Sequence, residues 1–272
     1  MVLLLSDLHL GRGTPAATRA AERDAVACLR AHERGVLDGG ALVLVGDVFD
    51  AFIEYRHLMP KRGLRLLGLL ADWADRGGAV HYAVGNRDPW HGGLLEREVG
   101  ATLHREPWEA VLGGVRAYIA HGDRDMPSRA LSPRALAHRL TPLLRSPRMA
   151  RLYRMAFPGD AGFAFATWAA RRFGSDGAAD PTDSAALEAA ARARLRTTDA
   201  ELVVHGHVHE AALVRTADGA YLNPGYWFGD RTFARLDADG PSLWRWADAA
   251  AHPLAPAAAS RSTRPAPAAP SL

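Results

Sequence analysis

The sequence predicts a layered α/β fold interrupted by a helical insertion. Three observations carry the prediction: short apolar runs alternate with helical stretches, every run ends in a residue of metal-binding type, and the alternation stops over 123–199. The first run, VLLL (2–5), leads into SDLHLG. ALVLV (41–45) precedes GDVFD, AVHYAV (79–84) precedes GNRD, RAYIA (116–120) precedes HGD, and ELVV (201–204) precedes HGHVH. Short aliphatic runs bounded by glycine read as buried strands. The spacing predicts helices over 16–34 and 61–76, which separates the first three strands into β-α-β units. Ligands of such folds gather beyond the carboxyl ends of the strands.

The insertion has its own composition. From Met126 to Gly159 there is no acidic residue, and Arg129, Arg134, Arg139, Arg145, Arg148, Arg151 and Arg154 interleave with leucines, methionines and Tyr153. Pro133, Pro142 and Pro147 break this stretch into short helices. GFAFATWAARRFG then predicts an apolar helix bearing Phe163, Phe165 and Trp168, and Asp180-Pro181 opens another with Glu188 and Arg192 one turn apart. The expected organisation is a core over 1–122, a helical cap over 123–199 and a second core segment over 200–247. YLNPGYW, RTFARLD and SLWRWAD supply the last strands of that segment. Residues 248–272, rich in Pro and Ala, are expected to be disordered.

Composition narrows the class. A chain of 272 residues that is 48% hydrophobic can bury a large core. No apolar stretch reaches the roughly 20 residues that span a bilayer, and the start has neither charged leader nor cleavage site, which predicts a cytoplasmic protein. The single cysteine, Cys28, excludes an internal disulfide and is expected to be a buried, inert thiol. Net charge is +3, and Lys61 is the only lysine, so arginine abundance reads as codon bias and argues weakly for nucleic acid.

Seven ligand candidates stand at the strand ends: Asp7, His9, Asp47, Asn86, His121, His205 and His207. Carboxylate, imidazole and amide oxygen suit manganese, iron or zinc, and the absence of thiolates argues against a structural zinc site. Alternate residues of an extended segment point the same way, so Asp-x-His and His-x-His are expected to serve one site each.

In this order SDLHLG, GDVFD, GNRD, HGD and GHVH resemble the signature of the calcineurin-like metallophosphoesterases. Within that family the chain is most similar to the UDP-2,3-diacylglucosamine pyrophosphohydrolase branch of the lipid A pathway. GDVFDAFIEYRH, GNRDPW, the GFAFATWAARRF stretch, VVHGHVHE and YLNPGYW carry that likeness over residues 2–246. The resemblance implies an α/β/β/α double-sheet sandwich with an inserted helical cap and a pair of metal ions, manganese first, with iron or zinc as alternatives. It implies one ion on Asp7, His9, Asp47 and His207, and a second on the bridging Asp47 with Asn86, His121 and His205. Two divalent ions, two carboxylates and a bridging hydroxide leave one positive charge to attract a phosphoryl group. The implied activity is attack of that hydroxide on the diphosphate of UDP-2,3-diacylglucosamine, giving acylated sugar 1-phosphate and UMP.

Asp47, Asn86, Arg87 and His205 are the expected catalytic residues, with Asn86 and Arg87 also binding substrate. Many relatives carry histidine at position 87; arginine cannot act as a general acid but holds phosphate oxygens in a two-pronged contact, which favours diphosphate cleavage. Asp50, Asp88 and Asp123 are expected to orient ligand imidazoles or Arg87. His209 is placed outside the ligand set, and His32, His57, His81, His91, His104, His138 and His252 are expected to be packing or surface residues. Arginines among apolar residues in the cap suit an anionic acylated nucleotide-sugar and an anionic membrane surface, so peripheral attachment to the inner face of the membrane is expected. A phosphodiesterase or nucleotide pyrophosphatase acting on a soluble substrate, a binding scaffold without catalysis and a nucleic-acid binder are the competing readings. Phe163, Phe165, Trp168 and the leucines tell against the last.

Overall fold

A computed structural model of the chain describes residues 1–59, 61–126, 146–173 and 180–254. Expectations placed on Arg129, Arg134, Arg139, Arg145, His138 and the tail beyond 254 lie outside those residues.

Strand β1 (Val2–Leu5) is buried on both faces and occupies the middle of a seven-stranded sheet. It pairs in parallel with β2 (Ala41–Val45), which pairs in parallel with β3 (Ala79–Ala83) and that with β4 (Thr102–His104). On its other side β1 runs antiparallel to β10 (Thr232–Asp237), followed by β11 (Gly240–Ala247) and β12 (Ala250–Pro253). The crossovers are α1 (Pro15–Leu37), α2 (Leu64–Asp75) and the single turn α3 (Leu94–Arg97). Thr14 caps α1 by accepting from the Ala17 N–H, and the proline after it needs no such partner.

The second sheet has the order β5 (Trp108–Leu112), β6 (Val115–Ile119), β7 (Leu202–Val204), β9 (Gly219–Asn223) and β8 (Ala212–Thr216). Gly113 and Gly114 both have positive φ, at 57° and 85°, which matches the two-residue hairpin turn joining β5 to β6.

The period of two in each strand divides the core into layers. Leu3, Leu5, Leu42 and Leu44 face α1 and α2, with Ala25, Cys28, Leu66, Leu70 and Trp73. Val2, Leu4, Val43 and Val45 face the second sheet and meet Ala117, Ile119, Val204 and Leu222. On the far side Tyr118, Val203 and Tyr221 are covered by Ala191 and Leu195 of α6 (Pro181–Thr197). The result is the expected α/β/β/α sandwich.

Two boundaries differ from expectation. The insertion was placed over 123–199, yet α6 buries Leu187, Ala191 and Leu195 at four-residue spacing and forms the outer layer of the core. Of the described residues only α4 (Pro147–Ala156) and α5 (Gly159–Phe173) stand apart as a cap. The tail was expected to begin at 248, but Asp248 and Ala249, at φ 50° and 57°, make a tight turn that returns β12 along β11. Alanine is not a turn residue, so Asp248 is the one turn signal that this hairpin offers. Among the described residues no helix is long and apolar enough to cross a membrane.

Candidate metal centre

The ladder between β1 and β2 does not stop where the strands do. Asp7 N–H donates to Gly46 O at 3.2 Å, His9 N–H to Asp47 O at 2.9 Å and Leu10 N–H to Val48 O at 2.9 Å. These loops are not extended, contrary to the expectation for Asp-x-His. Asp7, His9, Asp47, His207 and His209 all have positive φ, between 41° and 70°. They are five of the eight non-glycine residues in that region among those described. Each costs on the order of 1 kcal/mol or more, and such strain concentrates at functional sites. Two glycines let the loops close. A β-carbon at Gly46, itself at φ 83°, would strike the His121 ring, and one at Gly206 would strike the Ser6 hydroxyl and approach Asp7 Oδ2.

Donor atoms bonded to one ion at about 2.1 Å stand roughly 3–3.5 Å apart. Asp7 Oδ1 lies 3.4 Å from His9 Nε2 and 3.3 Å from His209 Nε2. The two imidazole nitrogens are themselves 3.0 Å apart. The other oxygen of Asp7 accepts from the Ser6 hydroxyl at 2.5 Å and from the His207 N–H at 3.0 Å, whereas Oδ1 makes no hydrogen bond although buried. An orphaned carboxylate oxygen facing two imidazoles suits a cation. A second group forms around His121: Nε2 is 3.0 Å from Asn86 Oδ1 and 3.6 Å from Asp47 Oδ2. Its Nδ1 donates to Val45 O at 2.9 Å, which leaves Nε2 as the ligating atom. Asp47 Oδ2 is also 3.8 Å from His9 Nε2, and Asp47 Oδ1 accepts from the Arg87 N–H at 2.8 Å. The residues fit divalent cations.

The electrostatics agree. Burial works against ionisation of Asp7 and Asp47, but His209 and His9 outweigh it at the first and His121 at the second, holding both below the usual carboxylate range. Burial likewise opposes a charged His121, and the Asp47 and Asp7 carboxylates push it up to about 10. Cation binding by such a carboxylate–imidazole group would release protons.

His209 was placed outside the ligand set, but its Nε2 completes the cluster with Asp7 and His9. Tyr226 stacks on it at 4.2 Å with the planes 7° apart. His207 instead packs its ring edge-on against His121, with centroids 5.2 Å apart. The third histidine of HGHVH was the available signal. His205 is 1% exposed and presents Nε2 to Asp125. Asp50 lies 3.5 Å from His9 Nδ1 and accepts from Arg12 at 2.9 Å. Asp88 touches no ligand ring: it accepts from the Tyr82 hydroxyl at 2.6 Å and from the Gly85 and Phe49 N–H groups, so it ties the two ligand loops together. Burial and the neighbouring Asp47 raise it to about 6. Asp123 is buried, and its charge reaches His121 and His207. Arg12, Asp125 and Tyr226 were not singled out from the sequence.

Other histidines pack elsewhere. His104 stacks on Trp108 at 3.7 Å, and His32 Nδ1 donates to Cys28 O at 2.7 Å. His91 is buried on the ring of Phe52 at 4.6 Å; burial, helped by Arg105, pushes its pKa down to about 3. Below pH 6.5 the unfolded chain gains a proton there that the native state refuses, so stability present above 6.5 is lost as pH falls toward 3. His91→Phe removes that loss, and its stability relative to wild type is expected to improve by about 2 kcal/mol between pH 7 and pH 5. Urea midpoints at the two pH values measure it; a constant difference would refute the buried neutral imidazole.

No family model matches the chain. It is 31% identical over 222 residues to UDP-2,3-diacylglucosamine hydrolase of Ralstonia nicotianae, an alignment covering 78% of each protein. The chain belongs to the UDP-2,3-diacylglucosamine hydrolase family. The family member of Porphyromonas gingivalis is 35% identical over 124 residues, and that match spans 46% of either chain, about half the relative's length. Among solved structures, the phosphoesterase Yfce from E. coli aligns over 92% of this chain and 95% of its own, with 14% identity and a TM-score of 0.44.

In this member of the UDP-2,3-diacylglucosamine hydrolase family α4 is anchored to the loops that follow β2 and β3. Tyr153 of α4 packs on Trp90 at 4.7 Å, Arg154 donates to Glu54 O at 3.1 Å, and the Tyr55 hydroxyl donates to Phe157 O at 3.2 Å. Phe157 stacks on Phe165 at 5.3 Å, and Phe165 meets Trp168 at 5.6 Å with the ring planes tilted by 33°. Leu152, Met155, Phe165 and Trp168 remain between 45% and 76% exposed.

Proposed function

We propose that the chain hydrolyses the diphosphate of UDP-2,3-diacylglucosamine to acylated sugar 1-phosphate and UMP with two divalent ions, manganese first. The observation that carries the reading is the place of Asp47 Oδ2, 3.8 Å from His9 Nε2 and 3.6 Å from His121 Nε2, where one carboxylate oxygen faces both ligand groups. Asp7, His9 and Asp47 with His207 or His209 would hold one ion; Asp47, Asn86, His121 and His205 would hold the other. Such a pair supplies Lewis acidity toward phosphoryl oxygens and water that ionises near neutral pH.

The chain's own residues do the rest. Asp47 fixes the Arg87 backbone by accepting from its N–H, and the Arg87 guanidinium would make a two-pronged contact with phosphate oxygens. Arg87 donates no proton to a leaving group, and a leaving phosphate needs none. The exposed aromatic and aliphatic side chains of α4 and α5 offer an apolar wall for acyl chains. Arg148, Arg151 and Arg154 give α4 a cationic side suited to diphosphate and to an anionic membrane surface.

Turnover of UDP-2,3-diacylglucosamine, UDP-glucose and bis(p-nitrophenyl) phosphate with manganese tests the reading. The acylated substrate is expected to have the highest kcat/KM. Preference for either unacylated compound would transfer the site to a soluble diphosphate or phosphodiester.

A further inference from the structure

The two ring nitrogens of His205 have different surroundings. Nε2 stands 3.0 Å from Asp125 Oδ2, while Nδ1 is buried with no hydrogen-bond partner. A carboxylate only accepts, so the proton in that contact belongs to Nε2 and the lone pair of the neutral ring to Nδ1. Asp125 is itself held. The Tyr118 hydroxyl donates to Oδ2 at 3.0 Å, and Arg194 of α6 lies 3.5 Å from Oδ1. Arg194 also covers the Tyr118 ring, its guanidinium carbon 3.8 Å from the centroid. The backbone leaves the imidazole little choice of position, because His205 N–H is tied to Leu222 O at 3.0 Å.

We propose that Asp125, braced by Tyr118 and Arg194, is the positioning residue of the second metal position: it holds His205 as the Nε2–H tautomer so that Nδ1 is the ligating atom. A carboxylate behind a ligand imidazole fixes ring orientation and raises basicity. Asp123 had been expected to serve this purpose, but it is the acid two residues further on that reaches His205 Nε2. Arg194 lies on α6, so the outer helical layer of the core would support the second metal position from behind.

The inference rests on the two-metal reading, and its test keeps the two separable. Imidazole nitrogen shifts of histidine-labelled, metal-free protein report the His205 tautomer, with His205→Gln identifying the signal. Manganese titration followed by electron paramagnetic resonance then reports affinity at each site. Wild type is expected to show protonated Nε2. Asp125→Ala is expected to lose that preference and to weaken one manganese site by about 10–100-fold. Asp125→Asn, which keeps an acceptor and the side-chain volume, is expected to fall between them, and its circular dichroism guards against misfolding. An Asp125→Ala protein that retains the Nε2–H tautomer, or binds both ions as wild type does, overturns the proposal. A wild-type protein with the expected tautomer and no activity on diphosphates counts against the proposed function alone.

Discussion

Asp47→Ala is expected to lower kcat/KM by on the order of 1000-fold or more, equivalent to about 4 kcal/mol of transition-state stabilisation, and to reduce the metal bound per chain. Removing an ordinary ligand would loosen one ion; Asp47 Oδ2 faces both ligand groups, so its loss affects both. The second oxygen matters as well, since the Arg87 N–H would lose its acceptor and the Asn86-Arg87 loop its register. The fold should survive. Asp88 is raised partly by the charge of Asp47, and that repulsion disappears in the variant. Asp47→Asn separates the two effects: its amide oxygen can still accept from Arg87, but its charge is gone. Metal analysis beside turnover decides the matter. Two tightly bound ions in an active Asp47→Ala protein would remove the bridge from the centre.

Gly206→Ala is expected to destabilise the protein by about 2–3 kcal/mol, in the range of overpacked cores, and to weaken metal binding. Gly206 does not have a left-handed backbone, so the effect is one of space alone. The new methyl group would run into the Ser6 hydroxyl and come within 2.9 Å of Asp7 Oδ2 and 3.0 Å of Val45 O. Ser6 cannot turn away freely, because its hydroxyl donates to Asp7 Oδ2 and lies 3.1 Å from Val45 O. Adding Ser6→Ala should therefore recover part of the loss. Denaturation of the two single variants and the double variant reads the coupling. Additive losses would show that the hydroxyl is not the obstacle.

The strands that carry the candidate ligands were legible because burial on both faces leaves uninterrupted apolar runs, as in VLLL and ALVLV. Strands β4, β5 and β8 were missed because they are half-exposed, with no such run. The positions of Asp7, His9, Asp47, Asn86, His121 and His205 follow from those strand ends. The choice between His207 and His209 does not, because in HGHVH both stand two residues from a neighbour and only the left-handed turns at 207 and 209 decide which ring meets His9. Asp125 lay in HGDRD beside a better-placed acid, and spacing cannot tell which carboxylate a ring will reach. Helix α6 was assigned to the cap because the alternation of strands breaks at 123; its Leu187, Ala191, Leu195 stripe pointed back to the sheet.

The pairing of β1 with β10 has a consequence for biosynthesis. Val2 is matched with Leu236 and Leu4 with Ala234, so β1 is not flanked on both sides until β10, far later in the sequence, has been made. Asp7 likewise waits for the His207 amide that its carboxylate accepts from. Pairings this remote in sequence form slowly and expose apolar edges meanwhile. A nascent fragment that stops short of the 205–209 loop and β10 would therefore lack the assembled donor cluster, and a cation would find its site only after they are in place.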